Sequence, residues 1–395
     1  MKNIVLASTA VVVVILLVGF LAVMHPDEGG NPHSADWLDD NMKSSLETLK
    51  RVDKEGVLYE MDCDYDYYNN EAILELLKQY GVYDAGCSAF VTWNDNGDGV
   101  LTARNYDYRH TTPAGEYTGL NVAIHCSPEG KYRSIGIADA YWLDPVTGTF
   151  CAGVLDDGKT DISNLVLLPY ICMDGLNEKG VSVSILKLDI KEGESAVHQT
   201  EAGKINIGHS VLMRYILDSC ATIDEAVEMA KRYNIQGAMG MDFHIFVTDS
   251  TGASVVLEWR NNILKVTETN AVSNFYSGFD DAADYYKGGQ LIENFVKLDN
   301  SVMTYHYGYG HGFHRFTGIV SALERYIDFT DPDYATKMTT RMTPEQAMRI
   351  LSVAAQDPGT EATSMTQYSL IYDAKNLTAK VCLHQDYDIV YTITL

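Results

Sequence analysis

The stretch GCSAFVTWNDNGDGVLTARNYDY, residues 86–108, has the pattern of two short strands joined by a turn. Apolar and β-branched residues dominate both ends, and the six residues in the middle, 94–99, are all Asn, Asp or Gly, which favour tight turns. The stretch therefore predicts a β-hairpin. Such a hairpin returns Arg104 and Asp107 to the side of Cys87, so that a guanidinium, a carboxylate and a thiol share one small site.

Two interpretations of Cys87 are open from this spacing. Free cysteines are commonly buried core residues, and Arg104 and Asp107 then form an ordinary ion pair near a turn. Alternatively, Cys87 is a nucleophile at the start of a processed chain, where its own α-amino group can act as general base. In that case Arg104 favours the thiolate, and Asp107 holds and orients the amine.

The rest of the chain after residue 86 alternates β-rich runs with helical patterns. A capping box at Thr222–Glu225 and the sequence Thr343-Pro344 each predict the start of a helix, and Ile207–Cys220 is apolar-periodic. Strands before and after helices favour antiparallel sheets with helices packed outside, an α+β fold. The predicted strands are Ala89–Trp93, Val100–Asn105, Leu120–His125, Ser134–Ala140, Val181–Leu188, His244–Thr248, Ser254–Trp259, Ile263–Thr267, Gln367–Tyr372, Ala379–His384 and Ile389–Thr394.

Composition indicates a folded chain of 395 residues, with 46% hydrophobic and 21% charged residues. This length suits one large domain with an N-terminal appendage. The 54 acidic residues outnumber the 29 Lys and Arg residues, which gives a formal net charge of −25. Such a charge repels a phosphate backbone, so nucleic acid is not an expected partner.

The N-terminus predicts a membrane segment. Ile4–Met24 carries no charge and is long enough, at 1.5 Å per residue, to cross roughly 30 Å of hydrocarbon. Lys2 precedes this run, and Asp27 and Glu28 follow it, which favours a single-pass protein of the cell membrane with the remainder extracytoplasmic. The alternative is a cleavable signal peptide and a secreted protein.

Three parts of the chain are expected from these patterns. Residues 1–34 form the membrane segment and a polar linker, residues 35–86 a helical prosegment, and residues 87–395 the catalytic domain. The helical expectation for the second part depends on the apolar residues Trp37, Leu38, Met42, Leu46, Leu49 and Val52 and on a second pattern over Ala72–Tyr80.

Five segments, in chain order, resemble the motifs of N-terminal-nucleophile hydrolases that act on linear amide C–N bonds, the choloylglycine hydrolase family. This family includes bile salt hydrolases, penicillin V acylases and acid ceramidase-like enzymes. The resemblance covers about residues 87–395. The matching segments are GCSAF (86–90) with ARNYDY (103–108), DGLNEKG (174–180), VSN (272–274), HRF (314–316) and TQY (366–368).

The resemblance implies a four-layer αββα sandwich of two antiparallel sheets. It also implies that Cys87 is the nucleophile, exposed by autoproteolysis before it, with Arg104 and Asp107 in support. Asn274 then donates to the oxyanion and Arg315 orders the site. The implied activity is hydrolysis of a linear, non-peptide amide, such as an N-acyl amide or a conjugated bile salt. An acyltransferase, which passes the acyl group to an amine, and a catalytically silent surface module are the alternatives.

Several departures and weaker assignments accompany this resemblance. Lys187 stands where the family usually has a second site Asn, and is either a surface strand residue or a cation that selects an anionic substrate group. Asn177 is either a substrate-binding residue or a turn residue that tolerates left-handed geometry. Phe275 and Tyr276 suggest a pocket for a hydrophobic acyl group, although such residues are as often core.

No metal or cofactor is predicted. The seven cysteines suggest disulfides in an oxidising compartment, but their odd number leaves at least one thiol unpaired, and none forms a C-x-x-C zinc motif. The turn after Trp93 has calcium-loop spacing, but Asn105 replaces the bidentate Glu. His306, His311 and His314 lack regular ligand spacing. The expected partner is a small amide substrate, and a homo-oligomer is compatible with the sequence.

Overall fold

A computed structural model describes the chain from residue 37 onward, with gaps. Residues 39–395 form one compact unit. The predicted membrane segment Ile4–Met24 and most of the predicted helix Ala72–Tyr80 lie outside the described residues. Among the helices that are described, none is both long and apolar enough to cross a membrane. The described residues are 37–71, 73, 86–108, 110–112, 115–116, 118–144, 149–188, 198–237, 242–277, 310–332, 339–356 and 365–395.

Strands dominate the described residues. The helices are α1 (Asp40–Glu47), α2 (His209–Ser219), α3 (Ile223–Ala230), α4 (Gly310–Leu323) and α5 (Pro344–Ala354). The strands are β1 (Lys50–Arg51), β2 (Leu58–Cys63), β3 (Gly86–Asn94), β4 (Val100–Asp107), β5 (Thr111–Thr112), β6 (Gly115–Glu116), β7 (Asn121–Cys126), β8 (Ser134–Asp139), β9 (Cys172–Asn177), β10 (Ser182–Leu188), β11 (Ile205–Gly208), β12 (Tyr233–Gln236), β13 (Asp242–Thr248), β14 (Ser254–Arg260), β15 (Ile263–Glu268), β16 (Ala271–Ser273), β17 (Arg341–Met342), β18 (Thr366–Asp373), β19 (Thr378–Leu383) and β20 (Tyr391–Thr394). Each predicted strand overlaps one of these.

Two main sheets organise the fold. The first has nine strands in the order β1-β2-β7-β8-β9-β10-β13-β14-β15. The second has the order β16-β3-β4-β18-β19-β20, with β17 also pairing with β3. Most neighbours are antiparallel, whereas β2 with β7 and β17 with β3 are parallel. The prediction of mixed helices and strands built around two sheets is confirmed.

Side-chain alternation shows how the layers are ordered. On β9, Asp174 faces the second sheet, where it accepts a hydrogen bond from Tyr368, while a Cβ at the next residue, Gly175, would meet Leu217 of α2. On β4, Arg104 reaches Asp174, while the amide of the following Asn105 donates to a carbonyl of α5. The sheets therefore face each other, with α2 outside the first and α5 outside the second.

The predicted helices at Thr222 and Thr343 begin where their caps require. The hydroxyl of Thr343 accepts from the backbone N–H of Gln346, whose side chain accepts from Thr343 N–H, which completes a capping box. The hydroxyl of Thr222 accepts from the N–H of Glu225. Both helices thus have partners for N–H groups that helix starts leave unpaired.

The helical expectation for residues 35–86 is wrong over residues 50–63. Helix α1 ends at Glu47, and two strands, β1 and β2, follow. Strand β2 pairs with β7 in parallel, from Leu58 opposite Asn121 to Cys63 opposite Cys126. From Tyr59 to Cys63, buried residues (Tyr59, Met61 and Cys63) alternate with more exposed ones, which is the period of a strand rather than a helix. This segment therefore supplies strands to the first sheet.

Candidate active site

The predicted hairpin at residues 86–108 is confirmed. Cys87 lies opposite Tyr106, and Gly86 lies opposite Asp107, in the antiparallel pair β3–β4. Gly97 and Gly99 in the turn have φ angles of 73° and 110°, a region that favours glycine. Cys87 has no exposed surface, and β3 places its side chain between the two sheets, beside Arg104.

Arg104 holds the thiol of Cys87 directly. Its Nη2 lies 2.9 Å from Cys87 Sγ and 2.8 Å from the carbonyl oxygen of Ile185 on β10. The side chain of Arg104 is 1% exposed, so this cation acts at short range without water between it and the sulfur. The predicted pairing of guanidinium and thiol is therefore present in the structure.

Asp174, on the opposing sheet, fixes Arg104 in place. Its Oδ2 lies 2.5 Å from Arg104 Nη1 and accepts from the Tyr368 hydroxyl at 2.6 Å, and its Oδ1 accepts from the Tyr372 hydroxyl at 2.7 Å. Asp174 and Tyr368 stand within the segments quoted for the resemblance, but the sequence analysis assigns neither of them a role. A carboxylate inside an apolar run, Cys172–Leu176, was the available signal, because a buried charge requires a partner.

Burial sets the protonation of this pair. The pKa of the Cys87 thiol is raised because burial outweighs the lowering effect of the Arg104 charge, and Asp107 adds to the rise. Burial by itself lowers the pKa of Arg104, but the charge of Asp174 and, once ionised, that of Cys87 outweigh it, so the pKa is raised. Arg104 is thus a permanent cation, while the thiol of the uncut chain keeps its proton at neutral pH.

The nitrogen of Cys87 contacts Asn274. The Cys87 N–H donates to Asn274 Oδ1 at 3.0 Å, and the same oxygen accepts from Arg315. Asn274 Nδ2 donates to the carbonyl of Lys187 at 2.8 Å, which uses one of its two N–H groups. Donation of the other to an oxyanion stays a prediction.

Asp107 acts on Cys87 differently from the prediction. Its two carboxylate oxygens accept from Arg315 and from the Thr366 hydroxyl, the latter at 2.6 Å, whereas the Cys87 nitrogen bonds to Asn274. Asp107 therefore reaches this nitrogen through Arg315 and Asn274. Burial raises the pKa of Asp107, and the Arg315 charge opposes this rise. Spacing could not show this chain of contacts, because its members are up to 259 residues apart.

Of the two interpretations of Asn177, its contacts are those of the turn residue. Its Nδ2 donates to the carbonyls of Leu217 and Cys220 at 2.8 Å each, and its Oδ1 accepts from the N–H groups of Lys179 and Val181 at 3.0 Å each. Asn177 is fully buried. Both ends of the amide are bonded to backbone, so Asn177 ties a turn to the end of α2.

Phe275 and Tyr276 are buried core residues in the part of the chain that the structure describes. Phe275 packs edge-to-face against Phe316, with ring centroids 5.3 Å apart. The Tyr276 hydroxyl donates to Asp242 Oδ2 at 3.0 Å, and both side chains are buried. Lys187 is half-buried on β10 and contributes its backbone carbonyl to the site; a role for its side chain stays a prediction.

The cysteines do not form the disulfides that their number suggested. All seven are free thiols in the structure, and six of them are buried. The part of the chain that the structure describes contains no group of three His, Cys, Asp or Glu residues placed to hold a metal ion. His306 and the side chains of His311 and His314 lie outside that part.

Residues 158–386, more than half of the chain, match the family described as linear amide C–N hydrolases, choloylglycine hydrolase family. The chain belongs to this family. The predicted membership in the choloylglycine hydrolases is therefore confirmed, and the matched part includes Asp174, Asn274 and Arg315. The matched part begins after Cys87, Arg104 and Asp107. These three residues are placed in the site by the β3–β4 hairpin.

Individual relatives in the choloylglycine hydrolase family are distant. The penicillin V acylase of Pectobacterium atrosepticum is 28% identical over 184 residues, which is 44% of this chain and 44% of that protein. A solved variant of the conjugated bile acid hydrolase from Clostridium perfringens is 15% identical, with a TM-score of 0.47 over 78% of this chain and 92% of that one. The penicillin V acylase of Agrobacterium tumefaciens is 16% identical, with a TM-score of 0.46 over 78% and 86%.

Proposed function

We propose that this protein hydrolyses a linear, non-peptide amide by transferring the acyl group to Cys87 and then to water. The observation that carries the proposal is the Cys87 thiol 2.9 Å from the Arg104 guanidinium, with the nitrogen of the same residue 3.0 Å from Asn274. A nucleophile, its future base and a candidate oxyanion donor thus meet within one family fold.

Activation begins with a cut before Cys87. The thiol attacks the carbonyl carbon of Gly86, the C–N bond between the two residues breaks, and Cys87 gains a free amine. Water then hydrolyses the thioester and leaves a carboxylate on Gly86. The raised pKa of the thiol in the uncut chain fits a resting precursor, because the cut supplies the amine that accepts its proton.

In the mature enzyme, the Cys87 amine takes the thiol proton and the thiolate attacks the substrate carbonyl. Arg104 stabilises the thiolate, and the second N–H of Asn274 donates to the developing oxyanion. The amine product leaves with the proton, and water then attacks the acyl-thioester to release the acid. Arg315, bonded to Asp107 and Asn274, keeps the amide oxygen of Asn274 turned toward the Cys87 nitrogen.

The segment before Cys87 stays bound after the cut. Strand β2 pairs with β7 along its six residues, and Tyr67 and Tyr68 donate to the Asp218 carboxylate at 2.9 and 2.6 Å. A hydrogen bond to a charged group contributes roughly 1.5–3 kcal/mol, so these contacts together resist dissociation. If residues 4–24 anchor the chain in the cell membrane, this segment tethers an extracytoplasmic enzyme to it.

The first experiment is the mass of the purified protein. A fragment that begins at Cys87, together with acid release from a conjugated bile salt, a phenoxyacyl β-lactam or an N-acyl amine, supports the proposal, and Cys87→Ala is the control for both. An intact Gly86–Cys87 bond with no acid release refutes it in favour of a silent module. An acyl-amine product instead of acid identifies a transferase.

The tether is tested separately by washing membranes that carry the mature protein. Retention of the Cys87 fragment in high salt and its release in mild denaturant are expected. Appearance of that fragment in the medium without residues 35–86 would show that the segment is discarded.

A further inference from the structure

A groove of about 480 Å³ runs between helices α4 and α5, on the side of the second sheet away from the first. It is lined mainly by apolar and small residues, with Gly318 and Ala322 on α4 and Ile350 and Val353 on α5. These positions lie three or four residues apart, so they share one face of their helix. One wall of the groove is therefore a face of α4, and the other is a face of α5. A volume of this size is typical of small-molecule sites.

Among the described residues, nothing requires a glycine at position 318. It lies inside a 14-residue helix, where glycine is unfavourable relative to alanine, and its backbone is not in the left-handed region. Within the described residues, no heavy atom lies within 4 Å of the place that a Cβ would occupy. The missing side chain instead opens the groove down to the helix backbone, which suits close approach by a ligand.

Two exposed arginines, Arg325 and Arg349, line the groove. Arg51, Arg133 and Arg341 each pair with a carboxylate. In the described part of the chain, the guanidinium groups of Arg325 and Arg349 have neither an ion-pair nor a hydrogen-bond partner, although acidic residues exceed basic ones by 25. An acidic protein thus keeps two uncompensated cations beside one apolar groove.

Exposure of apolar surface points to the same place. Val353 is 81% exposed, while Ile350, one turn earlier on the same stripe, is 6% exposed. A neutral hydrocarbon would match this lining but leave the arginines unpaired, and a small inorganic anion would do the reverse. Only a ligand with both an alkyl chain and an anionic head satisfies both features.

We infer that this groove binds a single-chain amphipathic carboxylate, with the alkyl chain along Gly318 and Val353 and the carboxylate on Arg325 and Arg349. This site lies on the outer helices, and its lining includes Arg315, which bonds to Asp107 and Asn274 on the side of Cys87. The inference is about binding and does not depend on the proposed reaction.

Octanoate is a suitable probe, with 1-octanol as its uncharged match, in calorimetric titrations of the purified full chain. We expect one octanoate site, and a loss of affinity of about tenfold or more in Arg325→Gln and in Arg349→Gln, because each removes a charge-assisted contact. Arg133→Gln, which removes a cation elsewhere on the surface, is the matched control and should bind octanoate as the unaltered chain does. Octanol should bind more weakly than octanoate and should be indifferent to the arginine changes.

Gly318→Leu tests the groove itself. Leucine has a higher helix propensity than glycine, and its side chain fills the space above position 318. Octanoate affinity should therefore fall about tenfold or more, while the melting temperature stays the same or rises. Unchanged octanoate affinity in Gly318→Leu would place the anion elsewhere, including at Cys87, and overturn the inference. A fall in melting temperature would overturn it too, because it would show that another part of the chain already fills the groove. Arginine-dependent binding to anionic lipid vesicles without octanoate binding would identify a membrane surface instead.

Discussion

Asp174→Asn should destabilise the protein more than any surface charge change, because it leaves Arg104 as a buried cation without its counter-ion. Asp174 is fully buried. Within the described residues, its carboxylate pairs with Arg104 and accepts hydrogen bonds from the hydroxyls of Tyr368 and Tyr372. Breaking a buried ion pair by removing one partner costs about 3–5 kcal/mol. Asparagine keeps the shape of the side chain, so the loss reports charge rather than a cavity.

The second half of this prediction is a double-mutant cycle. In the double variant Asp174→Asn/Arg104→Gln no unpaired charge remains, so most of the lost free energy of unfolding should return. Hydrolysis should not return, because Cys87 has then lost the cation 2.9 Å from its sulfur. This split separates the structural effect of Asp174 from its effect through Arg104 on the nucleophile.

Urea unfolding of the uncut Cys87→Ala chain measures the stabilities, and acid release by the corresponding variants with Cys87 measures activity. Glu178→Gln is the matched control, since it breaks the exposed pair with Arg133, whose side chain is 55% exposed, and should cost about 1 kcal/mol or less. A loss below about 1 kcal/mol in Asp174→Asn, or strictly additive losses in the double variant, would refute the reasoning.

Four further predictions follow from the site and the core. Cys87→Ala should abolish both the cut and turnover, and Cys87→Ser should slow turnover by several orders of magnitude with the fold intact; near-normal turnover by a processed serine variant would remove the nucleophile assignment. Asn274→Ala should lower kcat more than it raises KM, since an oxyanion donor acts in the transition state; an effect on KM alone would reassign it to substrate binding. Lys187→Ala should weaken hydrolysis of anionic substrates only; equal losses on neutral amides would remove its proposed selectivity. Burial lowers the pKa of His209 to about 3, so His209 stays neutral in the folded protein at pH values where the unfolded chain, with a pKa of about 6.5, binds a proton. The free energy of unfolding should therefore fall by up to about 1.4 kcal/mol per pH unit as the pH drops from about 6.5 to about 3. His209→Phe should flatten this slope in urea titrations at several pH values, and an unchanged slope would assign the acid sensitivity to other groups.

The hairpin was predictable because its information is local. Turn residues at 94–99 and short β-rich runs on both sides fix the return of the chain, and this return alone brings Arg104 and Asp107 to Cys87. Asn274 and Arg315 are different: they lie 187 and 228 residues beyond Cys87, and only the family resemblance selected them. Spacing carries no signal over such distances, because sheet order decides which strands meet.

The errors have the same origin. Strand β2 carries little local signal, because its partner β7 lies more than 50 residues away in a parallel pair and the residues after β2 are acidic and aromatic without a regular period. Asn177 stands in a segment that resembles a family motif and Phe275 directly follows one, yet hydrogen bonds to backbone account for the first and packing in the core for the second. A motif does not distinguish residues that take part in the reaction from residues that support the structure of the site.

The position of Cys87 is compatible with the proposed cut at the start of strand β3. Strand β3 lies in the second sheet, paired on both sides by β4 and β16, while the segment before the cut pairs in the first sheet through β2. A break between residues 86 and 87 therefore removes no strand from either sheet. The proposed cut would free the amine at the place where the Cys87 N–H already bonds to Asn274, so under this proposal the uncut chain already holds the hydrogen bond of the mature site.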